Sequence, residues 1–167
     1  MAKGTKIQVS AHPKGHEEEC VVIGTPKPGV VMNIVRPGVA AHGRWNYEPY
    51  GTTAASGVQG VTAAGNRNAV AILLEDDNQG ALNSTAYVSG TPGKIYYPIM
   101  GEEFNMWLLD VAGTADDFVI GDKLIIDDGT GKLLISAGSP ESEPFIILET
   151  VTDPVADTLV WVKFTGY

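Results

Sequence analysis

The chain has a single cysteine, Cys20, and only three histidines, His12, His16 and His42. One thiol excludes an intramolecular disulfide and a four-thiolate zinc site, and points to folding in a reducing compartment. All three histidines fall in the first quarter of the sequence, a poor supply of bases for a Ser/His/Asp or Cys/His catalyst. No G-x-S-x-G elbow, phosphate-binding loop or dinucleotide glycine fingerprint is present. Positive charge is also scarce: 11 Lys and Arg stand against 20 Asp and Glu, a formal net charge of −9. Phosphate backbones are gripped by concentrated cationic surface, so nucleic acid is not an expected partner. No apolar run approaches the roughly 20 residues of a membrane span. The opening MAKGTKIQVS has no apolar signal core, so Sec-type secretion is not expected.

What the chain does have is apolar residues (44%) and turn formers, 20 glycines and 10 prolines in 167 residues. That is the composition of one globular β-rich domain. Runs of β type, cut by Gly, Pro and Asp, fill residues 69–167. Ala69–Leu74 is apolar throughout, as in a strand buried on both faces or at a barrel seam. Lys94–Ile99, Phe118–Ile126, Phe145–Thr150 and Thr158–Phe164 read as further strands. In the last, Val160, Val162 and Phe164 make one apolar face while Leu159, Trp161 and Lys163 make a mixed one. IIDDGTGKLLI reads as a hairpin, its glycines at 129 and 131 supplying positive φ. One segment is ambiguous: Phe104, Trp107, Leu108 and Val111 have amphipathic-helix spacing inside a β-like region. Residues 1–68 are more broken, with short apolar pieces at Lys6–Ser10, Cys20–Ile23 and Val30–Val35. The expected architecture is all-β, a small barrel- or sandwich-like domain at 23–167 with long loops at 36–68, a compact body at 69–167 and an extended arm at 1–22.

Candidate sites are sparse. His12, His16 and Cys20 lie four apart, the spacing of metal ligands on a helical face, but Pro13 and Gly15 oppose a helix there. Glu75, Asp76 and Asp77, like Asp127 and Asp128, lack the alternating register of a calcium loop and read as turn caps. No metal or other cofactor is expected. Trp45, Tyr47 and Tyr50 lie in RWNYEPYG, where Pro49 and Gly51 forecast a turn. They are either loop anchors for recognition or a cover for one end of the barrel.

The ordered set LLEDDNQG (73–80), TAYVSG (85–90), IYYPIMGEEF (95–104), VIGDKLIIDDGTGKLL (119–134) and the ILETV…TLVWVKF close (147–164) resembles the head decoration, or capsid cement, proteins of tailed bacteriophages. GTPKPGVVMNI at 24–34 is similar to that family's opening strand. The resemblance implies a homotrimeric β domain, made in the host cytoplasm and bound to the major capsid protein on the outside of the virion. It carries no catalytic residue, and it implies a strand at Phe104. An extended arm of about 20 residues would span roughly 60–70 Å and reach a neighbouring subunit. Its anchors would be Ile7, Val9, Val21, Val22 and Ile23, with Trp45, Tyr47 and Tyr50 as further contacts. The alternative from a different class is a carbohydrate-binding β module stacking sugars on those three aromatics.

Overall fold

The structure, a computed structural model, describes residues 7, 15–35, 45–50, 70–75, 84–109, 117–127, 129–136, 143–152 and 158–166. It is all-β, a closed barrel packed against a second sheet. Five strands close the barrel: β1 (His16–Val22), β2 (Val31–Val35), β3 (Trp45–Pro49), β4 (Ala71–Leu73) and β5 (Pro92–Tyr97). The order is β1-β3-β2-β4-β5, and an antiparallel pairing from His16↔Tyr97 to Val21↔Pro92 joins the two ends. The β1–β3 pair is parallel; the other barrel pairs are antiparallel. The second sheet contains β6 (Glu103–Trp107), β7 (Lys123–Ile126), β8 (Leu133–Ile135), β9 (Phe145–Ile147) and β10 (Leu159–Phe164), in the order β6-β10-β9-β7-β8. A parallel bridge between Leu108 and Leu133 links its two edges, so the sheet curls back on itself.

The alternation of side chains along each strand divides the apolar residues between two cores. Cys20, Val22, Met32, Tyr47, Leu73 and Ile95 fill the barrel. Val31, Ile72 and Tyr96 point the other way and cover the inner face of the second sheet, formed by Phe104, Met106, Leu124, Phe145, Val160 and Val162 among others. Strand β4 serves both: Ala71 and Leu73 face the barrel interior, while Val70, Ile72 and Leu74 face the second sheet. The uninterrupted apolar run is therefore a wall between two cores. Backbone bonds sew the halves together, including Val31 N–H to the Gly131 carbonyl (2.8 Å) and Gly129 N–H to the Tyr50 carbonyl (2.6 Å).

Two expectations change. Residues 16–22 are not part of an extended arm: they are barrel strand β1, with Cys20 and Val22 fully buried. The polar stretch Glu17–Glu19 hides this, because only the second half of the strand faces the core. Residues 23–50 likewise contribute two barrel strands, so the compact body does not begin at 69. The ambiguous segment resolves as strand at Glu103–Trp107, paired with β10 from Lys163↔Glu103 to Leu159↔Trp107; Val111 lies outside the described residues.

Candidate interaction surface

Three reverse turns share one construction. They are Val88-Ser89-Gly90-Thr91, Ile99-Met100-Gly101-Glu102 and Val119-Ile120-Gly121-Asp122. In each, the fourth N–H returns to the first carbonyl at 3.0–3.1 Å. The glycine occupies the third position at φ of 86°, 97° and 97°, the conformation that a type II turn demands there and that a side chain strains. The same glycine donates its N–H to a strand carbonyl: Gly90 to Val22, Gly101 to Phe164 and Gly121 to Ile147. A fourth-residue side chain then locks the loop. Glu102 Oε2 accepts the Ile99 N–H at 2.8 Å, Asp122 Oδ2 accepts the Val119 N–H at 2.7 Å, and Thr91 Oγ1 donates to the Val88 carbonyl at 2.6 Å.

These rigid turns hold apolar side chains in water. Val88, Met100 and Ile120 are 68%, 69% and 63% exposed, and Ile99 and Val119 are also exposed. Single exposed apolar residues are ordinary, but five on three turns of one design are a pattern. Each forgoes the roughly 1.5–3 kcal/mol that burial of such a side chain would contribute. Holding them in place beforehand reduces the ordering cost of binding, about 0.5–1.5 kcal/mol per immobilised side chain. Trp161, on the outer face of β10, is the remaining large exposed apolar residue described. The register sets it opposite half-buried Leu148, and Leu148 next to the Val119–Asp122 turn.

The second turn is anchored inward as well. Glu102 is buried, and its Oε1 accepts from the Tyr96 hydroxyl (2.7 Å) and the Gly15 N–H (3.3 Å), so one carboxylate ties the start of β1 to the β5–β6 turn. Buried carboxylates persist only when satisfied in this way.

Three of the eight residues expected to meet a partner, Ile7, Val22 and Tyr47, lie inside. Ile7 is fully buried; its N–H donates to Glu75 Oε1 at 2.6 Å and its carbonyl accepts the Asn105 N–H. Val22 and Tyr47 are core, Tyr50 packs on the inter-sheet core, and Val21 and Ile23 are half-buried. For Ile7, Val22 and Tyr47 this is a correction: they are barrel and junction residues, placed there by strand alternation and by pairing across the fold. Trp45 lies in strand β3; its side chain, like Val9 and His12, lies outside the described residues. His16 and Cys20 sit on a strand, where residues four apart are separated by about 13 Å. Among the described residues no three His, Cys, Asp or Glu converge as a metal set. Asp127 Oδ2 accepts from Thr130 Oγ1 (2.6 Å), a turn cap as expected, while Asp76, Asp77 and Asp128 lie outside the described residues. The exposed tips were missed, although the tetrads IMGE and VIGD repeat one apolar-apolar-Gly-acid pattern in plain view.

The Tyr47 and Tyr97 hydroxyls are hydrogen-bonded to each other, and exposed His16 stacks on half-buried Tyr97 with centroids 6.3 Å apart. Burial, then the bond to Tyr97, raises the Tyr47 phenol far above its ordinary value; burial also raises that of Tyr97. A phenol that holds its proton more tightly folded than unfolded contributes stability that is complete below the unfolded value. That stability drains away as pH rises past about 10. Wild type should therefore lose stability steeply above pH ~10, and Tyr47→Phe should lose it less steeply. Denaturant titrations from pH 8 to 11.5 check this; parallel curves for the two proteins would contradict it.

No protein-family model matches the chain, and no curated protein matches it.

Proposed function

We propose that this chain is a non-enzymatic capsid decoration protein, a homotrimer that binds the major capsid protein on the outside of an assembled phage head and stabilises it. The observation that carries the reading is the set of pre-ordered apolar turn tips on a cross-braced all-β body. A clamp between shell subunits gains from rigidity, and a tip such as Ile99-Met100, fixed by a buried carboxylate, suits insertion into a groove. The net charge of −9 keeps such a clamp from competing for packaged DNA. The ordered strand-and-turn resemblance described above supports the same reading.

The test adds purified protein to undecorated, expanded capsids. Saturable binding and a raised capsid disruption temperature are expected. Met100→Ser with Trp161→Ser should weaken binding at least about tenfold, the loss expected when interface anchors are truncated, with the fold intact by far-UV circular dichroism and an unchanged thermal transition. Absence of saturable binding would overturn the proposal. The carbohydrate alternative loses Tyr47 as a stacking face, because that ring is 1% exposed within the barrel.

A further inference from the structure

A groove of about 270 Å³ opens where the barrel meets the second sheet. Its lining is divided by chemistry. Pro26, Val30, Pro49 and Trp107 supply apolar surface, and Lys27 and Lys132 also line it. The Trp107 ring is fixed by its indole N–H, which donates to the Pro28 carbonyl at 2.6 Å, and the Lys27 ammonium lies 5.1 Å from the ring centroid. An occupant matched to the groove presents an apolar tip beside a carboxylate.

The chain carries such a tip. Val119 and Ile120 project from their locked turn, and the exposed Asp117 stands just before them. Between the acid and the tip, Phe118 is buried and bridged to Val151 by two backbone bonds of 2.9 Å, so the projection is rooted in the core. The Met100 tip matches less well, since its turn carboxylate, Glu102, is buried against Tyr96. Copies of a chain with net charge −9 repel one another, so opposite charges facing each other at the contact favour self-association.

We propose that the Val119-Ile120 turn of one copy seats in the Trp107 groove of the next, with Asp117 facing Lys27 and Lys132. Groove and tip are different surfaces of the same chain, so the contact is heterologous and assembles copies head to tail, into a ring if the rotation closes. The inference rests on the self-association in the proposed function and stands apart from capsid binding.

Light scattering on the purified full chain, over a concentration series, tests it. Wild type should form a discrete oligomer, of trimer mass if the ring closes at three. Ile120→Asp should raise the dissociation constant at least about thirtyfold, the range of a buried interface anchor. Lys132→Glu should raise it about tenfold or more, and adding Asp117→Lys should restore most of the loss, as reversal of a facing charge pair does. Ile120 and Asp117 are exposed, so these variants should keep the wild-type thermal transition; Ile120→Ser and Lys132→Gln serve as milder versions. A wild type that stays monomeric at its highest soluble concentration would overturn the inference, as would an oligomer indifferent to the Ile120 and Lys132 substitutions. A monomer that still binds capsids would leave the decoration reading standing. An oligomer that obeys these predictions but ignores capsids would overturn that reading and keep this contact.

Discussion

Phe145→Ala is expected to destabilise the protein by about 3–5 kcal/mol, the cost of truncating a fully buried phenylalanine and leaving its cavity unfilled. Phe145 begins β9, the strand between β10 and β7, and pairs with Phe164 on one side and Leu124 on the other. Its ring meets that of Phe164 at 5.4 Å and 56°, a tilted arrangement whose attraction adds to area burial. Strand β9 has three residues, so few other contacts compensate. Against a typical total of about 5–15 kcal/mol, the loss moves a large share of molecules towards unfolding. Urea unfolding should show a much lower midpoint with little change in slope. Phe145→Leu, which keeps most of the volume, should cost less than half as much, and exposed Val88→Ala about 0.5 kcal/mol or less. A Phe145→Ala protein within 1 kcal/mol of wild type would mean that the second core is not packed as described.

Gly131→Ala is expected to cost about 2–5 kcal/mol and to loosen the junction between barrel and second sheet. Gly131 is buried at φ 67°, and its carbonyl accepts the Val31 N–H at 2.8 Å. A β-carbon there would strike the Val31 backbone carbonyl, which cannot rotate out of the way. Left-handed strain contributes roughly 1–2 kcal/mol and the overpacking roughly 1–3 kcal/mol. Gly129, in the same hairpin at φ 104°, has open space where its β-carbon would stand. Gly129→Ala therefore carries the conformational cost alone. The difference between the two variants isolates the junction, and Gly131→Ala should show transitions by near-UV and far-UV dichroism that no longer coincide. Equal losses in both variants would refute the docking of the hairpin on the barrel.

The hairpin, the last strand and the double-faced run at 70–74 were legible because their information is local. Alternation places Val160, Val162 and Phe164 inside and exposes Trp161. Elsewhere the pattern misled. In β6, Phe104 and Met106 face the inter-sheet core while Asn105 and Trp107 are buried on the other side, Trp107 in the barrel cluster, and Ile7 and Gly29 bond to the backbone of the strand's free edge. A strand buried on both faces loses its two-residue period, and a chance helical spacing can then stand out. The candidate surface was legible in its turn chemistry but not in its exposure. IMGE and VIGD announce turns, and only the packing of the rest decides that their apolar residues stay outside.

By itself, the sequence determined the β class, the sites of the tight turns and the acidic character. Those follow from residue type and short-range spacing, through side-chain alternation, glycine's access to positive φ and summed charge. The tertiary structure alone decided that residues 16–22 close a barrel, that Ile7, Val22 and Tyr47 are interior, and that Met100 and Ile120 remain in water. Barrel closure pairs β1 with β5 from His16↔Tyr97 to Val21↔Pro92, far apart in the chain, and burial depends on which surfaces such distant pairings bring together. Neither is a property of any window of the chain.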